Sequence, residues 1–157
     1  MAKKELFRND PFSRKLIKSA GMVPVDRGGM NSSSMENLKK RLKENWGVII
    51  HPEGTRSEDG VFRKIKSGAG ALAVETDTPV IPVYIDGAYN IFPKSGKMPK
   101  LYDWKHNKKY RLSVTFGKPI SPDGLTTEEM TEKIESAISA LQKENSTLPQ
   151  FRNSEAD

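Results

Sequence analysis

With 157 residues, 35% of them hydrophobic and 29% charged, the chain is long enough to bury one core and not polar enough to be disordered. Its 26 Lys+Arg against 20 Asp+Glu leave a net charge of +6, which suits an anionic partner (nucleic acid, a phospholipid headgroup or a phosphorylated metabolite) or simply keeps the chain soluble. The absence of cysteine excludes disulfides, thiolate metal sites and cysteine nucleophiles, and two histidines, His51 and His106, cannot make a zinc site alone, so no metal is expected.

The opening Met1-Ala2-Lys3-Lys4-Glu5-Leu6 has no apolar signal core, and no apolar run approaches the length of a membrane span. The expected place is therefore the cytoplasm. Asp10-Pro11 reads as a helix start, with Phe12, Leu16, Ile17 and Ala20 at helical spacing and Gly21 as the stop. Met22-Val23-Pro24-Val25 predicts a short strand that ends at Asp26-Arg27-Gly28-Gly29. A second helix is expected from Ser33, which pairs with Glu36 as a capping box. Met35, Leu38, Leu42 and Trp46 form its apolar stripe, and Gly47 is its stop.

Val48-Ile49-Ile50 predicts a strand covered on both faces, followed by the Pro- and Gly-containing loop His51-Pro52-Glu53-Gly54-Thr55-Arg56. Ser67 opens a third helix of small residues, Gly68 to Ala73, that suggests close packing against a sheet. Pro79 to Ile85 predicts another buried strand, where Pro82 removes a ladder donor and so implies a sheet edge or a bulge. Residues 93–109 read as a polar surface loop, and Tyr110 to Phe116 alternates as a half-exposed strand. Thr126-x-x-Glu129 caps a last helix with the stripe Met130, Ile134, Ile138 and Leu141. The helix–strand alternation predicts a single α/β domain over residues 1–145, with a polar, frayed tail over 146–157.

Two loops after apolar runs end in arginine, at Arg27 and Arg56, and Lys66 precedes a predicted helix start. Ligands of open α/β sheets collect at the carboxyl ends of strands, and arginine offers a planar fork for phosphate. An arginine in a turn is also an ordinary solvated charge. By themselves these residues support binding of a phosphorylated small molecule and no more. No phosphate loop, dinucleotide fingerprint or serine-nucleophile elbow is present. His51 is a weak candidate for a base, against the plainer role of a strand-end histidine. Nucleic acid is not expected, because the few aromatics are not interleaved with the basic residues.

The string Ile50-His51-Pro52-Glu53-Gly54-Thr55-Arg56-Ser57 resembles the Pro-Glu-Gly-Thr-Arg block of the 1-acyl-glycerol-3-phosphate (lysophosphatidic acid) acyltransferase family. Gly21 to Arg27, Val80 to Ile85 and Ala2 to Phe7 resemble further blocks of the same family in the same order, as do Phe62, Lys66, Gly68 and Ala69. The resemblance covers about residues 2 to 120. It implies an α/β fold with a mixed, mainly parallel sheet flanked by helices, incomplete at the N-terminus. It also implies acyl transfer from acyl-CoA or acyl-carrier protein to 1-acyl-glycerol-3-phosphate, giving phosphatidic acid, with no cofactor beyond that co-substrate. Arg27, Glu53, Gly54, Thr55 and Arg56 would hold the glycerol phosphate, with Lys3 and Lys66 on the phosphate side. Pro82 and Val83 would wall the acyl donor. A peripheral place on the cytoplasmic side of the membrane follows from the same resemblance.

The family's catalytic His-x4-Asp block has no counterpart here. His51 would need Asp at position 56, which is Arg56, and His106 would need it at 111, which is Arg111. The expectation is a chain truncated at its N-terminus, inactive alone for want of the base, or else a non-catalytic remnant that binds lipid headgroups. Loss of a strand and a helix would expose an apolar surface and favour self-association.

Overall fold

A computed structural model describes residues 2–3, 24–25, 32–57, 59–93, 96 and 98–147. The expected first helix, the Asp26–Gly29 segment and most of the tail lie outside these residues.

The C-terminal helix starts where its capping box places it. Thr126 N–H donates to Glu129 Oε2 at 2.8 Å, and Glu129 N–H donates to Thr126 Oγ1 at 3.2 Å. The helix runs over Thr127–Thr147, past the Asn145 boundary expected from sequence. Its stripe of Met130, Ile134, Ile138 and Leu141 is buried throughout. Met130, Ile134 and Ile138 join Ile65, Ala69 and Ala73 in the core.

Ala69 and Ala73 belong to the helix Gly68–Thr76, which lies on this stripe. A Cβ on its Gly70 would sit 2.8 Å from Thr127 O. The small residues therefore serve a close helix–helix approach, where the sequence pointed to a sheet. The helix Ser32–Lys43 packs against Gly68–Thr76 in turn, and Lys39 ties the two together. Lys39 Nζ reaches Glu36 and Glu75 at 2.7 Å each, and these partners raise its pKa. Glu36 is thus engaged along the helix with Lys39, and Ser33 lies inside the first turn and not before it. The helix stops at Lys43, ahead of Gly47, because Asn45 takes a left-handed φ of 60° and Trp46 N–H turns back to Arg41 O at 3.0 Å. Leu38 is buried, but Trp46 stays outside beneath the Arg41 guanidinium.

Numbered in chain order, these helices are α1 (Ser32–Lys43), α2 (Gly68–Thr76) and α4 (Thr127–Thr147), with the short α3 at Ala88–Ile91. The strands are β1 (Ala2–Lys3), β2 (Pro24–Val25), β3 (Val83–Asp86), β4 (Tyr102–Asp103), β5 (Lys108–Lys109) and β6 (Ser113–Phe116). Among the described residues they form three two-stranded pairings: β1–β2 parallel, β3–β6 and β4–β5 antiparallel. Among the described residues no single mixed sheet forms, and the mainly parallel pairing expected from sequence holds only for β1–β2. Parallel neighbours need a crossover. The chain from β3 to β6 instead passes through α3 and the β4–β5 hairpin and returns antiparallel.

Val48 to Ile50 forms no strand. Ile50 packs on the core while Ile49 points outward, so the run is covered on one side only. The 93–109 stretch holds the β4–β5 hairpin, whose strands of two residues are too short to leave a period in the sequence.

Pro82 marks a bulge, one of the two readings its sequence allows. Val80 pairs with Ile120 and Val83 with Phe116, so Ile81 and Pro82 face three residues, 117–119. Pro82 O accepts Gly117 N–H at 2.8 Å, and Pro82 has no N–H to return. On the inner face Thr115 Oγ1 donates to Asn145 Oδ1 at 3.0 Å, joining β6 to α4. On the outer face Ile85, Val114 and Phe116 are exposed.

Candidate functional site

The loop after Ile50 is built from its own backbone. Gly54 N–H donates to His51 O at 3.1 Å, and Gly54 takes a φ of 73°, a conformation that costs other residues. A second segment closes on it: Lys66 N–H donates to Pro52 O at 2.9 Å, and Arg63 N–H donates to Glu53 Oε2 at 3.2 Å. Residues 51–56 and 63–66 are therefore two sides of one structure, which α2 then leaves toward the core. Arg63 is itself tied to Asp59, with Nη2 to Oδ2 at 3.0 Å. The Asp59 carboxyl is held below its ordinary pKa, chiefly by the Val61 N–H.

This arrangement brings Glu53, Gly54 and Lys66 together. The Lys66 ammonium lies against the open face of Gly54, where a Cβ would be 3.2 Å from its Nζ. Arg56 goes to another partner set. Its Nη1 donates to Pro93 O at 3.0 Å, and the guanidinium sits over the Phe92 ring, 4.4 Å from the centroid. That stacking orients the planar fork while the residue remains exposed. The Thr55 hydroxyl donates weakly to Arg56 O at 3.4 Å. His51 contributes its carbonyl to the turn, and its side chain is exposed.

Among the other candidates, Lys3 pairs through its backbone with Val25; its side chain and all of Arg27 lie outside the described residues. Pro82 is buried at the bulge, and Val83 is half-buried opposite Phe116. Phe92, Pro93 and Arg63 support the site and were not marked by the sequence. Nothing in a polar stretch singles out the first two, and Arg63 is one more basic residue after the motif. Chemically, the turn offers two cations, Arg56 and Lys66, the second laid against Gly54, and such charges suit a phosphate. Among the described residues no group of His, Asp and Glu could hold a metal ion, and no helix is long and apolar enough to cross a membrane.

Comparison with known proteins agrees with the motif. A family model described as Acyltransferase matches residues 1–86. The 1-acyl-sn-glycerol-3-phosphate acyltransferase of Bacillus subtilis is 32% identical over 141 residues, which are 90% of this chain and 63% of that protein. The mouse 1-acyl-sn-glycerol-3-phosphate acyltransferase alpha is 28% identical over 114 residues, 71% of this chain and 38% of that protein. The crystal structure of the 1-acyl-sn-glycerophosphate (LPA) acyltransferase PlsC from Thermotoga maritima aligns with a TM-score of 0.72 at 26% identity, covering 94% of this chain and 56% of that one. The chain thus spans 38% to 63% of the length of these relatives.

Proposed function

The chain belongs to the Acyltransferase family, and on that premise we propose that it serves phospholipid synthesis by holding 1-acyl-glycerol-3-phosphate for acylation to phosphatidic acid. In that reaction the free glycerol hydroxyl attacks a thioester carbonyl of acyl-CoA or acyl-carrier protein. The C–S bond breaks, and the thiolate leaves with the proton that the hydroxyl has lost. Arg56 and Lys66 neutralise the acceptor phosphate, Gly54 and Thr55 let it approach the backbone, and Glu53 holds the turn through Arg63 N–H. Arg27 and Lys3 extend the same phosphate side, and Pro82 and Val83 face the acyl donor. The protein works as a peripheral protein on the cytoplasmic side of the membrane.

The observation that supports this reading is the Pro52–Arg56 turn with Lys66 laid against Gly54. The step this chain does not supply is proton removal, since neither His51 nor His106 is followed by the required Asp. A positioned base is worth about 10²–10⁴-fold in rate. Turnover by these 157 residues, followed as thiol release from acyl-CoA, is therefore expected near background. Binding of 1-acyl-glycerol-3-phosphate is expected to persist, to exceed binding of the phosphate-free monoacylglycerol, and to be weakened in Arg56→Ala. Equal binding of the two lipids overturns the acceptor site. Robust turnover overturns the missing-base reading and directs attention to His51.

A further inference from the structure

The β4–β5 hairpin carries side chains that the core does not use. Tyr102 and Asp103 pair with Lys109 and Lys108, and residues 104–107 make the turn. The turn is firmly built. The Asp103 carboxylate accepts Lys105 N–H at 3.0 Å and lies 2.8 Å from His106 Nδ1, Asn107 takes a left-handed φ of 51°, and the Tyr102 hydroxyl donates to Asn107 Oδ1. Trp104 tilts against Tyr102, ring centroids 4.7 Å apart, yet remains 86% exposed, the most exposed large apolar side chain among the described residues. Met98 and Leu101, just before β4, are 75% and 71% exposed. Lys100, Lys105, Lys108, Lys109 and Arg111 are all exposed around them, and the one carboxylate of residues 98–111 is Asp103, which the turn engages.

A rigid tip that holds a bare indole among cations is costly to keep in water. It matches a surface whose outer plane is anionic and whose next layer is apolar. We propose that this hairpin docks the protein on an anionic lipid bilayer, with Trp104 entering the headgroup region and the lysines lying on the lipid phosphates. Indole rings favour that depth, and basic residues beside them add attraction that salt screens. A nucleic acid would leave Met98, Leu101 and the indole without a partner, and a single narrow tip offers a protein little flat apolar area. The inference deepens the membrane side of the proposed function and assigns it to an element outside the acceptor turn.

The chain's two tryptophans, Trp46 and Trp104, allow a direct test. In Trp46→Phe, Trp104 emission is expected to shift to the blue and to be quenched by brominated acyl chains when phosphatidylcholine vesicles containing phosphatidylglycerol are added, and not with phosphatidylcholine alone. In Trp104→Phe, the emission of Trp46 stays in place. Trp104→Ala lowers cosedimentation with the anionic vesicles roughly tenfold. The triple change Lys105→Gln, Lys108→Gln and Lys109→Gln lowers it on the order of 100-fold. Absence of vesicle binding, binding unchanged in these variants, an unmoved Trp104 spectrum in vesicle-bound protein, or binding to heparin in place of vesicles overturns the proposal. These side chains are outside the core, so circular-dichroism melts are expected to be unaltered. Binding of a soluble short-chain lysophosphatidate in the same variants reports on the acceptor turn separately.

Discussion

Lys66 and Gly54 are packed so that the lysine occupies the space a side chain would need: a Cβ on Gly54 falls 3.2 Å from both Cε and Nζ of Lys66. Gly54→Ala therefore has two effects. The left-handed backbone costs the new residue about 1–2 kcal/mol, and the methyl pushes the end of the Lys66 side chain away from its present position. We expect a modest drop in melting temperature together with at least roughly tenfold weaker lysophosphatidate binding, since a hydrogen bond to a charged group is worth about 1.5–3 kcal/mol. Titration calorimetry beside a thermal melt checks both. Weakened stability with unchanged affinity would separate Lys66 from the phosphate.

Arg56 is held by Phe92 and Pro93 O, which orient its exposed fork. Arg56→Ala is expected to weaken binding about 10- to 100-fold with little change in stability, as exposed charges contribute little to folding. Arg56→Lys keeps the charge but not the planar fork and is expected to recover only part of the loss. Affinities of the three proteins measured at one ionic strength decide it.

Met130 is fully buried at the centre of the α2–α4 contact. Truncation to alanine is expected to cost about 2–5 kcal/mol, read from urea unfolding. A cost under about 1 kcal/mol would mean that α4 is not the main wall of the core.

The capping box gives a pH dependence of definite sign. Glu129 is held below its ordinary pKa, first by the Thr126 N–H and then by the Thr126 hydroxyl. A folded pKa below the unfolded one means stability that is present above the unfolded value and lost as pH falls through the folded one. Melting temperature should fall on acidification through the carboxylate range, and more gently in Glu129→Gln, which removes the titrating carboxylate. Lys39 has the opposite sign: raised by Glu36 and Glu75, it supports the fold until pH climbs through its folded pKa.

The outer face of β3–β6 shows Ile85, Val114 and Phe116 to solvent. Concentration-dependent light scattering is expected, reduced by Phe116→Lys on this face. A monodisperse monomer at high concentration contradicts it.

The long helices were legible because their signals are local and repeated. The stripe from Met130 to Leu141 and the Thr126–Glu129 box lie within a few turns of each other and point to the same element. Strand direction was not legible, since Val83–Asp86 reads alike whether its neighbour runs parallel or antiparallel; the intervening β4–β5 hairpin decides it. The acceptor turn was visible as a motif, but its supports were not. Phe92 and Pro93 lie 36 and 37 residues beyond Arg56, and only the folded chain brings them to it. The Asp103–His106 pair does not follow the His-before-Asp order of the family block, since here the carboxylate comes first within a turn.

At the bulge, a Cβ on Gly117 would meet the Pro82 ring at 2.8 Å and Leu141 at 3.3 Å. The two positions are thus bound by inheritance as well as by contact. While Pro82 stands, any side chain at 117 is selected against; once the ring is replaced by something smaller, the glycine is released. A side chain at 117 should therefore be found only where residue 82 has lost its ring, and a hybrid that keeps Pro82 but takes a side chain at 117 from a relative should fold worse than either parent.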